Sequence, residues 1–145
     1  MMNAIDTTLS VLVADDHADA ADSLAQIIAL RGHRPRVARN GRDALRLAAE
    51  APPDLAILDL MMPDVDGWAV ARRLNATVRP PVIAAVTGRD GRTSRNLSSG
   101  AGIRFHCVKP VDPAVILDVL DWAVRMKQSA AVGRTDCAGR CTETC

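Results

Sequence analysis

The sequence predicts an α/β domain built on one parallel sheet, and three observations lead to this prediction. Five short segments with the character of strands, most of them apolar, recur along the chain, and each is followed by a segment with helical periodicity. The third and fourth apolar segments contain almost no polar residues, which is typical of strands covered on both faces. Strict alternation of strand and helix favours right-handed crossovers, and these produce a parallel sheet with helices on both sides.

The predicted strands differ in character in a way that indicates their places in the sheet. The second is short and polar and contains Pro35, which suits an edge strand because proline cannot donate to a strand neighbour. Five such strands favour the flavodoxin-like order 2-1-3-4-5, a (βα)5 three-layer sandwich. The strands are predicted at 9–14, 34–38, 54–59, 81–86 and 103–108.

The predicted helices follow from apolar residues at helical spacing. Gly32 gives the first helix a C-terminal stop, and Asp112 with Pro113 gives the last one an N-terminal start. The fourth is weakly periodic and rich in Ser, Arg and Gly, so we expect it to be the least stable. The helices are predicted at 17–31, 41–50, 67–75, 91–99 and 113–127.

Composition narrows the class of protein. The chain has 145 residues, 48% of them hydrophobic and 24% charged, as in an ordinary single globular domain. A net charge of +1 and 2% aromatic residues offer neither electrostatic attraction nor stacking surfaces for nucleic acid. No apolar run approaches the roughly 20 residues that span a bilayer, and the first residues do not resemble a signal peptide. We therefore expect a cytoplasmic protein without nucleic-acid or membrane partners.

The same patterns divide the chain into three parts. Residues 1–8 form an N-terminal extension, 9–127 the domain, and 128–145 a tail without core-forming periodicity. Cys107 lies in an apolar segment and is expected to be a buried, reduced thiol. The tail cysteines do not have a common metal-binding spacing, and disorder is the favoured interpretation, with their role left open; they are Cys137, Cys141 and Cys145.

Carboxylates follow two of the predicted strands. Asp15 and Asp16 come after the first strand, and Asp59 ends the third. In the 2-1-3-4-5 order these two strands are neighbours, and a ligand site is expected beyond their carboxyl ends. Three carboxylates so close together repel one another and stay ionised only around a cation, for which Mg2+ is the first candidate. A carboxylate beside such an ion is placed to attack a phosphoryl group.

Two further polar residues lie at the ends of the fourth and fifth strands. Thr87 ends the fourth and Lys109 the fifth, so four strands deliver polar side chains to one rim. Phosphoryl transfer requires an in-line nucleophile, a metal and positive charge near the phosphoryl oxygens. Asp59 is the candidate nucleophile. Lys109 can pair with Asp59 and then with a phosphoryl oxygen, to which the Thr87 hydroxyl can also donate.

These residues together resemble the receiver domains of two-component response regulators. The resemblance covers residues 9–127 and implies transfer of a phosphoryl group from the phosphohistidine of a histidine kinase to Asp59. It also implies that the Met61 backbone carbonyl binds Mg2+ together with Asp15, Asp16 and Asp59, and that Gly88 leaves room for the phosphoryl group. The matching residues are Asp15-Asp16, Asp59, the segment Met61–Gly67, Thr87 and Lys109-Pro110.

The resemblance has finer implications for signalling. The segment Val108–Pro113 is similar to receivers that are attached to, or partner with, hybrid sensor kinases. His106 stands where family members often have an aromatic switch residue. The implied partners are a histidine kinase or phosphotransfer protein and a downstream target. That target would bind a face formed by helix 91–99, the fifth strand and helix 113–127, and a homodimer is a second candidate for this face.

The sequence also predicts what this protein does not do. Residues 128–145 are too few for an output module, so the signal is expected to leave through another protein or a phosphorelay. No enzymatic activity is expected beyond Mg2+-dependent self-phosphorylation and autodephosphorylation. Two alternatives stay open. One is a haloacid dehalogenase-like aspartyl-phosphate phosphatase, although its D-x-D motif on the first strand is not present. The other is a receiver-like scaffold that is never phosphorylated.

Overall fold

A computed structural model of the chain describes residues 7–88 and 101–132. In these ranges the elements follow the predicted alternation, and the predicted helix 91–99 lies outside the described residues. The elements are β1 (Ser10–Ala14), α1 (Ala18–Leu30), β2 (Arg34–Ala38), α2 (Gly41–Glu50), β3 (Leu55–Asp59), α3 (Gly67–Asn75), β4 (Val82–Thr87), β5 (Phe105–Val108) and α4 (Pro113–Val132).

The five strands form one parallel sheet in the order β2-β1-β3-β4-β5, which confirms the predicted flavodoxin-like arrangement. β3 is buried along its whole length, as its apolar sequence predicts. β2 lies at an edge, where Arg34 is exposed and Pro35 is tolerated. Ala14 of β1 pairs with Leu58 of β3, so the residues that follow these two strands reach the same edge of the sheet.

Aliphatic side chains form a core layer on each face of the sheet, as the alternation of strand side chains requires. One layer packs beneath α1 and α4, and its largest members are Leu9, Ile28, Leu55, Ile57, Ile116 and Leu120. The other packs beneath α2 and α3, and its members include Leu12, Leu58, Met62, Leu74 and Ile83. This is the predicted three-layer sandwich. Cys107 is a free thiol in the first layer, and burial raises its pKa, which keeps it protonated.

The helix ends follow the local sequence signals. Gly32 adopts a φ of 88° after α1, a conformation that favours glycine, and so ends the helix. Asp112 accepts a hydrogen bond of 2.9 Å from the Ala114 N–H at the start of α4. Among the helices that the structure describes, none combines the length and apolar character needed to cross a membrane.

The last helix is longer than predicted. α4 continues to Val132, whereas the sequence pattern predicts its end at 127. Lys127 donates 2.9 Å to the Thr8 carbonyl oxygen and contacts the Asp54 carboxylate at 3.3 Å. These contacts hold the end of α4 against the amino edge of the sheet. α4 thus includes residues 128–132, which the sequence pattern assigns to the tail. Residues 133–145, which include Cys137, Cys141 and Cys145, lie outside the described residues, so the predicted disorder of the tail stays a prediction.

His33 gives the amino edge of the sheet a pH-dependent contact. Its Nδ1 accepts a hydrogen bond of 3.0 Å from the Leu9 N–H, which only the neutral imidazole can do. Burial, followed by the neighbouring Arg31 charge, lowers the His33 pKa below its usual 6.5. Because the folded pKa is depressed, this contact stabilises the fold fully above pH 6.5 and is lost as the pH falls through the lower folded value.

We therefore expect acidification below pH 6.5 to destabilise the wild-type protein more than His33→Gln, which cannot titrate at this position. Urea unfolding of both proteins between pH 7.5 and pH 5 measures the difference directly. Parallel pH dependences in the two proteins would contradict the assignment.

Candidate functional site at the carboxyl edge of the sheet

Two carboxylates lie buried side by side at the carboxyl edge of the sheet. Asp15 follows β1 and Asp59 ends β3, and these residues are 2% and 4% exposed. Their positions follow from the register, because β1 and β3 are aligned and end at the same level. The sequence prediction that these strand ends bring carboxylates together is in agreement with the structure.

Backbone N–H groups fix the orientation of both carboxylates. The His17 N–H donates to Asp15 Oδ1 at 2.9 Å, and the Met61 N–H donates to Asp59 Oδ1 at 3.0 Å. In each case the donor lies two residues after the aspartate, in the turn that leaves the strand. Each Oδ1 thus has a fixed partner, and each Oδ2 points to the space between the strands.

Lys109 occupies that space. Its Nζ lies 3.1 Å from Asp59 Oδ2 and 3.4 Å from Asp15 Oδ2. The Lys109 N–H donates 2.8 Å to the Thr87 carbonyl oxygen, which ties the end of β5 to the end of β4 and aims the side chain at the aspartates. The side chain of Lys109 is 26% exposed, so the ammonium group is screened by water only in part. The predicted pairing of Lys109 with Asp59 is present.

Opposing influences act on the pKa of Asp59, and burial is the largest of them. Burial raises the pKa of Asp59 above its usual value, and the Asp15 charge adds to this effect. The Met61 N–H and the Lys109 ammonium oppose it by stabilising the ionised form. For Lys109, burial lowers the pKa, but its contacts with Asp59 and Asp15 outweigh burial and raise it. Lys109 therefore stays charged near neutral pH.

The site has an excess of negative charge that suits a divalent cation. Asp15, Asp16, His17 and Asp59 each offer one ligand atom, and these atoms lie within 4.8 Å of one another. Three carboxylates opposed by the Lys109 ammonium leave a formal charge of −2. Oxygen ligands of this kind are those that Mg2+ prefers. The residues present therefore fit the predicted Mg2+ site, with the exposed Asp16 on its open side.

Thr87 ends β4 and is 6% exposed, beside the aspartate site. Its neighbour Gly88 is open: no atom of the residues that the structure describes lies within 4 Å of where a Cβ would stand. Thus Thr87 and Lys109 both reach the rim that the sequence predicts for them. The structure gives no contact for the Met61 carbonyl oxygen, so its role as a metal ligand stays a prediction.

His106 lies on β5 opposite Ala85 of β4. Its neighbour Phe105 points to the α4 face, where its ring meets Trp122 edge-on at 5.3 Å. By strand alternation His106 therefore points to the other face, as the sequence predicts. Arg104 stacks over the same Trp122 ring at 5.0 Å. A switching role for His106 stays a prediction.

Sequence reasoning did not identify His17 as a member of the site. Its Nδ1 lies 3.4 Å from Asp16 Oδ1 and 3.6 Å from Asp15 Oδ1. The available signal was its position directly after the aspartate pair. Sequence alone does not say which way such a side chain turns at the start of a helix.

Comparisons with known proteins agree with the geometry. Residues 11–121 match the response regulator receiver domain family. The response regulator MprA of Mycolicibacterium vanbaalenii is 36% identical over 100 residues, which are 69% of this chain and 43% of that protein. The protein PilH of Pseudomonas aeruginosa is 31% identical over 114 residues, covering 77% of this chain and 93% of PilH. The chain thus spans less than half the length of MprA but nearly all of PilH.

Solved structures show the same fold. A CheY-like receiver domain protein from Methanospirillum hungatei superposes with a TM-score of 0.79 at 22% identity, covering 85% of this chain and 98% of that one. The receiver domain of a signal transduction histidine kinase from Syntrophus aciditrophicus gives a TM-score of 0.75 at 25% identity, covering 90% and 96%. The family match leaves no support for the phosphatase alternative. The buried aspartates, the lysine between them and these matches together show that the chain belongs to the response regulator receiver domain family, the phosphoacceptor domains of two-component signalling.

Proposed function

We propose that Asp59 is the phosphoacceptor of this receiver domain and that its donor is the phosphohistidine of a histidine kinase or phosphotransfer protein. One observation carries the assignment. Asp59 is a buried carboxylate whose Oδ2 contacts the ammonium group of Lys109 at 3.1 Å, while Asp15 lies beside both. Asp15 has a similar environment and shares the cation cluster with Asp59, but its contact with Lys109 is longer, 3.4 Å against 3.1 Å.

In the proposed reaction, a carboxylate oxygen of Asp59 attacks phosphorus, the phosphorus–nitrogen bond of the donor breaks, and the donor imidazole leaves with the electron pair and takes up a proton. The product is an acyl phosphate on Asp59. A divalent cation held by Asp15, Asp16, Asp59 and the Met61 carbonyl would supply positive charge to the phosphoryl oxygens when bound.

The residues of the chain have separate tasks in this reaction. The Met61 N–H holds Asp59 in place for in-line attack. Lys109 exchanges its contact with Asp59 for one with a phosphoryl oxygen, and the Thr87 hydroxyl donates to another. Gly88 leaves space beside them. Self-phosphorylation by small phosphodonors and autodephosphorylation by water at the same phosphorus follow from this arrangement.

The proposed output is a change of the surface around β5. A hydrogen bond from the Thr87 hydroxyl to the phosphoryl group would shift the end of β4. The Thr87 carbonyl oxygen accepts a hydrogen bond from the Lys109 N–H, so the shift would reach the end of β5. The proposed partner face comprises segment 91–99, which lies outside the described residues, together with β5 and α4. It would bind a downstream protein or a second copy of this chain. A cytoplasmic location, without nucleic-acid or membrane partners, completes the proposal.

The assignment is tested by labelling the protein with acetyl phosphate and Mg2+. Borohydride reduces an aspartyl phosphate to homoserine, so peptide mapping identifies the modified residue. We expect homoserine at position 59 alone. Modification at Asp15 or Asp16 would contradict the assignment, and failure of every phosphodonor and of every kinase in a phosphotransfer screen would favour the scaffold alternative.

The metal site leads to a stability prediction. Mg2+ is expected to raise the free energy of unfolding by about 1.4 kcal/mol at ten times its dissociation constant, because it binds only the folded cluster. Asp16→Asn should weaken this effect while preserving or raising stability without metal, since it removes one of three repelling charges. Thermal unfolding in salt-matched buffers measures both. Equal Mg2+ effects in the two proteins would contradict a role for Asp16.

A further inference from the structure

The imidazole of His17 faces the acidic cluster, and among the residues that the structure describes its ring makes ion-pair contacts with Asp15 and Asp16 alone. His17 stands at the N-cap position of α1, yet its side chain makes no capping hydrogen bond to the first turn. Its backbone N–H is already committed to Asp15. The side chain is 70% exposed, so burial does not explain its orientation toward Asp15 and Asp16.

The distances from Nδ1 are too long for a direct hydrogen bond but short enough for the ring to reach an ion held by the same carboxylates. Nδ1 lies 3.4 Å from Asp16 and 3.6 Å from Asp15, beyond the roughly 2.7–3.2 Å of an N–H···O hydrogen bond. Neighbouring ligands of an octahedral ion at about 2.1 Å lie about 3.0 Å apart, so a small shift of the exposed imidazole brings it into ligand position. The four candidate ligand atoms of Asp15, Asp16, His17 and Asp59 already lie within 4.8 Å of one another.

We propose that His17 is an additional ligand of the cation site and biases it toward a first-row transition ion over Mg2+. This rests on the proposed function, which places a divalent cation at Asp15, Asp16 and Asp59. Mg2+ takes oxygen ligands and gains little from an imidazole, whereas first-row transition ions bind imidazole and carboxylate together. Mn2+ accepts both ligand types and is the most direct probe.

The test uses the full-length chain loaded with Mn2+ and read by electron spin echo envelope modulation. We expect modulation from a directly coordinated 14N nucleus in the wild-type protein and its loss in His17→Ala. Calorimetric titration should show that His17→Ala weakens Mn2+ binding about tenfold and changes Mg2+ binding by less than about twofold. The matched control is His33→Gln, which removes an imidazole at the opposite edge of the sheet and should change neither ion's binding.

Each other result overturns the proposal in a recognisable way. One such result is that Mn2+ binds the wild-type protein but not Asp15→Asn, and that bound Mn2+ shows no 14N modulation. The acidic residues then form the metal site, and His17 is not a ligand. Modulation that survives His17→Ala assigns the nitrogen to another group. If Asp15→Asn and Asp16→Asn leave the binding of both ions unchanged, the proposed metal site is itself wrong, and the role of His17 is wrong with it.

Discussion

Asp59→Asn is expected to abolish stable phosphorylation by acetyl phosphate and by any kinase that labels the wild-type protein. The amide is nearly the same size as the carboxylate and can still accept the Met61 N–H bond of 3.0 Å. It cannot form an acyl phosphate, because the amide oxygen is a poor nucleophile toward phosphorus. The loss is therefore chemical and does not depend on unfolding.

Stability separates this chemical effect from a structural one. Burial of the Asp59 charge is costly, as the raised pKa of Asp59 shows, and asparagine avoids this cost. Asparagine also loses the ion pair with Lys109. Lys109 keeps a contact with Asp15 at 3.4 Å. The two effects oppose each other, so we expect the free energy of unfolding without metal to change by less than about 1 kcal/mol.

The matched control is Asp64→Asn, the same chemical change on an exposed residue five positions along the chain. Asp64 adopts a φ of 68°, which asparagine also tolerates. This variant should be labelled like the wild-type protein. Radiolabel retention after denaturing electrophoresis measures all three proteins, and wild-type labelling of Asp59→Asn would overturn the site assignment.

The fold and the main site residues were predictable because they depend on short-range patterns and on topology. Asp15 and Asp59 directly follow buried segments, and in a parallel sheet the ends of neighbouring strands share one edge. Lys109 was placed by the same rule at the end of β5. No knowledge of side-chain packing was required for these three residues to meet.

The parts that were not predictable depend on tertiary contacts. The contact of Lys127 with Asp54 is one of them, because it joins residues 73 apart in sequence and the periodicity of α4 does not reveal it. The orientation of His17 is another, because an exposed side chain at a helix start has several allowed rotamers. The start of β5 at Phe105, two residues after the predicted 103, is set by pairing with Ala84 of β4.

Gly67 has a structural role that motif matching alone does not explain, because it lies against the strand that carries Asp59. A Cβ on Gly67 would lie 2.5 Å from the Asp59 carbonyl oxygen and 2.7 Å from the Leu60 Cα. Both are backbone atoms at the end of β3, so neither can move aside as a flexible side chain would. Glycine allows α3 to begin directly against the strand that carries the phosphoacceptor.

We therefore expect Gly67→Ala to destabilise the protein and to slow phosphorylation of Asp59. Alanine gains at most about 1 kcal/mol of helix propensity at the start of α3, whereas forcing a methyl group into backbone costs about 1–3 kcal/mol or more. The net loss of up to about 2 kcal/mol should lower Tm by several degrees, at roughly 2–4 °C per kcal/mol. Displacement of the β3 end should also disturb the contact between Asp59 and Lys109, so labelling falls in the variant while it is still folded.

The control for this substitution is Gly88→Ala, at the end of β4. Gly88 is not in the left-handed region, and no atom of the described residues lies within 4 Å of the added Cβ. Its stability should stay within about 0.5 kcal/mol of the wild-type value. Thermal unfolding of both variants separates the effect of close approach from that of lost glycine flexibility. Equal losses of Tm in the two variants would show that flexibility, and not the contact of α3 with β3, is the reason for glycine at position 67.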